Sequence, residues 1–87
     1  MKMGALMLDG NAAAGVLQEI FAVEMTTAVG TCDSCGAAGE VGRVQLYRGA
    51  GLILRCPSCE AVLMKIVTSG TRAWVDLRGL RTLQLNA

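Results

Sequence analysis

The sequence predicts a small α+β domain, antiparallel β-hairpins with one N-terminal helix, assembled around a metal site. Three observations point there. The chain has 87 residues, room for one domain over 1–87, since compact domains run to roughly 100–150 residues. It is 53% hydrophobic but only 3% aromatic, too apolar to stay disordered and too poor in bulky rings to build a thick core. Its four cysteines form two C-x₂-C pairs, Cys32/Cys35 and Cys56/Cys59, twenty residues apart, the spacing of a four-sulfur metal site.

The elements follow in order. Residues 1–8 read as a Met-rich lead-in pinned by Leu6 and Leu8. A helix is expected over 8–24, with Asp9 or Asn11 accepting the orphan N–H groups of its first turn. Ala13, Val16, Leu17, Ile20 and Val23 make an apolar stripe at helical spacing, and Glu24 would break it. Residues 25–30 lead extended into the first cysteine pair. A strand over 42–47 alternates Val44 and Leu46 with Arg43, Gln45 and Tyr47. Gly49 and Gly51 are expected to supply positive φ in the turn 48–51, and Leu52–Arg55 returns to the second pair. Strands 62–67 and 72–77 flank a four-residue loop, with Val67 opposite Arg72. That register sets Val62, Met64 and Ile66 on one apolar face, and Lys65 opposite Trp74 and Leu63 opposite Asp76 on the other. The tail 80–85 forms a further strand or packs on a partner, so C-terminal strands are expected over 71–86.

The cysteines carry the chemistry. Two residues between cysteines let a tight knuckle aim both sulfurs at one ion, with backbone N–H groups turned toward the thiolates. The intervening residues form a hairpin that brings the second knuckle opposite the first. Four thiolates at about 2.3 Å close a tetrahedral shell and leave no position for substrate, so Cys32, Cys35, Cys56 and Cys59 are expected to hold a structural ion. Zn²⁺ is the expected cofactor, with Fe as the alternative, because tetrahedral sulfur suits both. Binding of about 10–16 kcal/mol would also be folding energy. With no His in the chain, imidazole ligands and imidazole catalysis are excluded.

Knuckle, hairpin, knuckle and third strand over 30–68 resemble a zinc ribbon. The knuckles are also similar to those of rubredoxins, although Glu60 stands where the rubredoxin C-P-x-C-G pattern has its Gly. That second likeness implies single-electron transfer through a bound iron. The whole chain resembles a small bacterial family without assigned function, marked by LDGNAAAG at 8–15, the two knuckles and WVDLRGL at 74–80.

Charge and hydropathy bound the role. Residues 1–42 carry a balance of −4 and residues 43–87 one of +5. Four thiolates on a divalent ion bring the total to about −1, so a net-basic nucleic-acid binder is not indicated. Arg43, Arg48, Arg55, Arg72, Arg78 and Arg81 leave a nucleic-acid face as a weaker alternative. The longest run without Asp, Glu, Lys or Arg is nine residues, 10–18, against about 20 needed to cross a bilayer, so no membrane span is expected. No secretory signal is legible, and the expected compartment is the reducing cytoplasm. Apolar surface on the helix, the hairpin and the tail exceeds what so small a chain can cover, which predicts a protein partner or a homodimer. The expected function is that of a non-enzymatic zinc-ribbon protein acting as an interaction or accessory subunit.

Overall fold

The computed structural model describes residues 8–85; residues 1–7 of the lead-in, Leu6 among them, and residues 86–87 lie outside them. Leu8–Asp9 forms a short strand β1, paired with the strand that carries Leu46. Asp9 then caps a 3₁₀ turn, Gly10–Ala13, by accepting the Asn11 N–H at 3.1 Å. The α-helix proper, α1, is Ala14–Phe21, shorter at both ends than the expected 8–24. It stops because Ala22 turns left-handed at φ 58° while its N–H still bonds the Gln18 carbonyl at 2.9 Å. A left-handed residue closes a helix by redirecting the chain, so Val23 lies beyond α1. Of the expected stripe, Ala13 and Leu17 are buried, while Val16, Ile20 and Val23 are partly covered.

Seven more strands follow: β2 (Val29–Cys32), β3 (Ala38–Glu40), β4 (Gln45–Arg48), β5 (Leu52–Arg55), β6 (Val62–Ser69), β7 (Arg72–Asp76) and β8 (Leu80–Gln84). They form a five-stranded sheet in the order β1-β4-β5-β6-β7 and a three-stranded sheet in the order β3-β2-β8. Every pairing is antiparallel. The described residues are thus mostly β, with one short α-helix. Leu17 and Met25 join Leu46, Leu54, Met64 and Ile66 in the core, all at 1% exposure or less, and each such side chain contributes about 1.5–3 kcal/mol of burial. Ala28, Cys32, Leu80 and Leu83 belong to or pack against the same cluster, so the smaller sheet shares the core of the larger.

Three local expectations are corrected. Neither Gly49 nor Gly51 has a positive φ; Gly51 is required because a Cβ there would lie 2.5 Å from the Ile66 carbonyl oxygen. The positive φ belongs instead to Gly70, at 60°, in a two-residue turn that sets Ser69 opposite Arg72. Glycine at the first position of such a turn matches the strand twist. The β6/β7 register is therefore two residues from the expected one, with Ile66 opposite Val75 and Lys65 opposite Asp76. A slide of two keeps each side chain on its own face. Finally, Leu54 pairs with Met64 but Arg55 pairs with Val62, a bulge that leaves Leu63 as the extra residue. Bulges break strict alternation. Leu63 turns inward beside Met64, at 7% and 1% exposure, and Val62 turns out at 40%.

The tail strand pairs within the chain. β8 lies along β2, with Leu83 opposite Gly30 and Leu80 opposite Cys32, which brings the C-terminal strand to the first knuckle.

Candidate metal centre

Cys32 ends β2 and Cys56 directly follows β5, so two sheet ends deliver the first sulfur of each pair. Both knuckles repeat one hydrogen-bond pattern. The Gly36 N–H donates to the Cys32 carbonyl at 2.9 Å, and the Glu60 N–H donates to the Cys56 carbonyl at 2.7 Å. The Cys32 N–H donates to Ala37 at 2.8 Å, and the Cys56 N–H to Ala61 at 2.9 Å. The chain reverses through a left-handed residue in both, Gly36 at φ 80° and Glu60 at φ 65°. Sequence comparison with the rubredoxin knuckle singled out Glu60, and the structure shows that Glu makes the Gly turn all the same.

A non-glycine residue held there stores on the order of 1–3 kcal/mol. Replacing Glu60 with Gly is expected to stabilise the chain by about 1 kcal/mol, read as a rise of about 4–8 °C in melting temperature. A lower melting temperature would show that the Glu60 side chain contributes more than its backbone costs.

The knuckles converge. The Sγ atoms of Cys32, Cys35, Cys56 and Cys59 all lie within 4.8 Å of one another. Cys32 to Cys59 and Cys35 to Cys56 are each 3.7 Å. A tetrahedron with metal–sulfur bonds of about 2.3 Å has edges of about 3.8 Å, whereas an S–S bond is only about 2.05 Å. The two 3.7 Å separations are thus those of sulfurs sharing an ion and not of disulfides, and this group could hold a metal. Cys32 and Cys56 are buried, Cys35 and Cys59 exposed, so one side of the cluster rests on the core and the other meets solvent.

The electrostatics follow from this crowding. Backbone N–H groups of Cys35 and Ser34 hold the Cys32 thiol below its ordinary value. Burial pushes Cys56 up most strongly, but N–H groups of Cys59 and Ser58 and the thiols of Cys35 and Cys59 outweigh it and bring it to about 7; the Ser58 N–H lies 3.4 Å from the Cys56 sulfur. Cys59 goes the other way. The Ala61 N–H draws it down, yet burial and the sulfurs of Cys35, Cys32 and Cys56 push it up to about 12. Four negative sulfurs at this spacing repel one another, and a cation relieves that repulsion.

Two arginines serve the knuckles, a role their residue type alone did not disclose. Arg55, next to Cys56, donates to the Glu60 carbonyl at 3.0 Å. Arg81, on β8, donates to the Asp33 carbonyl at 3.2 Å and pairs with its carboxylate at 3.5 Å. Adjacency to Cys56 was a usable signal for Arg55; Arg81 lies 48 residues from Asp33 and had none. The expected pairing of Lys65 with Trp74 is replaced by Lys65 opposite Asp76, and a cation–π contact lies elsewhere, Arg55 over the Tyr47 ring at 5.8 Å.

The model of a family of unknown function (DUF6510) matches residues 3–87. The chain belongs to that family. The matched span takes in the run at 8–15, both knuckles and the ending at 74–80. No match is found among curated proteins or among solved structures. Membership in DUF6510 thus adds no activity to the site, and its role has to be argued from the residues. Among the described residues of this DUF6510 member, no helix is long and apolar enough to cross a membrane.

Proposed function

We propose that this chain is a non-enzymatic zinc-ribbon protein in which Cys32, Cys35, Cys56 and Cys59 hold a structural Zn²⁺, and that it works as an interaction or accessory subunit. The convergence of four sulfurs within 4.8 Å carries the reading. The order knuckle, hairpin β4–β5, knuckle and third strand β6 supports a ribbon. An ion bound there supplies folding energy and cross-links the ends of both sheets; with four sulfur ligands it has no open position for substrate. A cavity of about 70 Å³ lies against Cys32 and Cys56, but its lining favours no catalysis. It is largely apolar, with Leu54, Leu63, Met64 and Leu80 among the contributors, and its Glu40 and Arg43 are paired with each other at 3.2 Å.

The arginines favour a protein partner over nucleic acid. Arg43, Arg48, Arg55, Arg78 and Arg81 each bond a carboxylate or carbonyl of their own chain, which leaves few free for phosphates. A reducing, cytoplasmic setting suits four thiols that serve as ligands.

Protein purified without added metal is expected to contain one zinc per chain and to be colourless. A second reading, a rubredoxin-like iron carrier, draws support from the exposed Cys35 and Cys59, which bring sulfur to the surface where an electron could leave. Red protein with stoichiometric iron would establish that reading in place of the first.

A further inference from the structure

The larger sheet has an unprotected edge. Among the described residues β7 pairs with β6 on one side only, through an unbroken register over Arg72–Asp76. It carries no Pro or bulge to blunt it, and its two charges, Arg72 and Asp76, share one face with Trp74. Its sequence is Arg72-Ala73-Trp74-Val75-Asp76. Turned antiparallel about Trp74, that strand matches itself: Arg72 faces Asp76 of a second copy, Ala73 faces Val75, and Trp74 faces Trp74. Both charge pairs form at once, because a two-fold contact repeats each pairing.

The surrounding residues fit. Trp74 is 55% exposed, large for the lone tryptophan of the chain. Among the described residues Arg72 alone of the six arginines has no side-chain hydrogen bond or ion pair, whereas Asp76 already lies between Lys65 and Arg78. Pairing two copies extends this row of alternating charge across the axis. The other edges lack the match. β1 has two residues and β3 three; β8, centred on Thr82, would set Arg81 opposite Leu83.

We propose that the chain forms a two-fold homodimer by antiparallel pairing of β7 with β7 of a second copy, Trp74 on the axis and Arg72 opposite Asp76. This names the partner left open above and does not depend on which ion the cysteines hold.

Charge reversal tests it. Sedimentation of the purified, metal-bound full chain is expected to show a dimer at micromolar concentration, with Trp74 emission shifting red on dilution. Arg72→Asp and Asp76→Arg each place like charges opposite at two sites and are expected to weaken self-association about tenfold or more. Mixed together, the two variants restore both pairs and are expected to form a heterodimer. Trp74→Lys, which puts a charge on the axis, is expected to be monomeric with its metal retained, and it decides the matter if a charge reversal disturbs folding. Metal content measured on the same samples separates a failed interface from a failed metal site. A wild-type monomer throughout the micromolar range overturns the proposal, as it would if the edge serves a foreign strand. Single variants that dimerise like wild type, with no preference for the mixed pair, overturn it equally and place self-association elsewhere.

Discussion

Replacing Cys56 with Ser is expected to yield a chain that neither retains metal nor gives a cooperative thermal transition. Cys56 is 2% exposed, its sulfur receives the Ser58 N–H at 3.4 Å, and it lies 3.7 Å from the sulfur of Cys35. A hydroxyl there is a poor ligand and leaves a buried polar group facing N–H donors set for a thiolate. Binding to a four-sulfur site is commonly worth about 10–16 kcal/mol, as large as the whole stability of a small domain, about 5–15 kcal/mol. Loss of one ligand therefore exceeds what the core can offset. Cys32, equally buried, should behave alike, while Cys59→Ser, at the exposed side, should weaken metal retention with less damage to the apo chain. Metal analysis and far-UV melting of the variants check this, and a Cys56→Ser protein that keeps both ion and transition removes Cys56 from the ligand set.

Gly79→Ala is expected to destabilise the chain by about 3 kcal/mol or more, through forced displacement of packed backbone. A Cβ at Gly79 would stand 1.8 Å from the Val62 carbonyl oxygen, 2.7 Å from its carbon and 2.6 Å from Leu63 Cα. All three are backbone atoms of the β6 bulge, which cannot swing aside as a side chain can. Gly79 also accepts the Asp33 N–H at 2.9 Å, so a shift that relieves the clash pulls on the first knuckle. The melting temperature should fall by about 12 °C or more, and metal should exchange faster. Gly39→Ala is the control, because a Cβ there meets nothing within 4 Å. Equal behaviour of the two variants would show that β8 does not need this close approach.

These two cases mark where sequence reading succeeds and where it stops. The four-cysteine group was legible because the C-x₂-C spacing is local: a knuckle is closed by bonds between residues four or five apart, such as Glu60 to Cys56. Asp9 as a cap was legible for the same reason, since it bonds Asn11 two residues on. Gly79 carries no local signal of its role, because its neighbour Val62 is seventeen positions away. The hairpin register was two residues off because the turn residues 68–71 admit a four-residue loop or a tight pair, and only the left-handed Gly70 in its place chooses between them. Leu63 was set on the wrong face because a bulge is a property of two strands together, invisible in the alternation of one.

The order of residues by itself determined the four-sulfur group, the antiparallel strands and the apolar face of the hairpin at Met64 and Ile66, since each rests on interactions between near neighbours or on a period of two. Only the folded chain decided that the tail pairs in cis with β2, that Arg55 and Arg81 brace the knuckles, and that β7 is left as an edge among the described strands. Those outcomes depend on which distant segments meet. That meeting is chosen by burial shared across the whole core, and no single segment carries it.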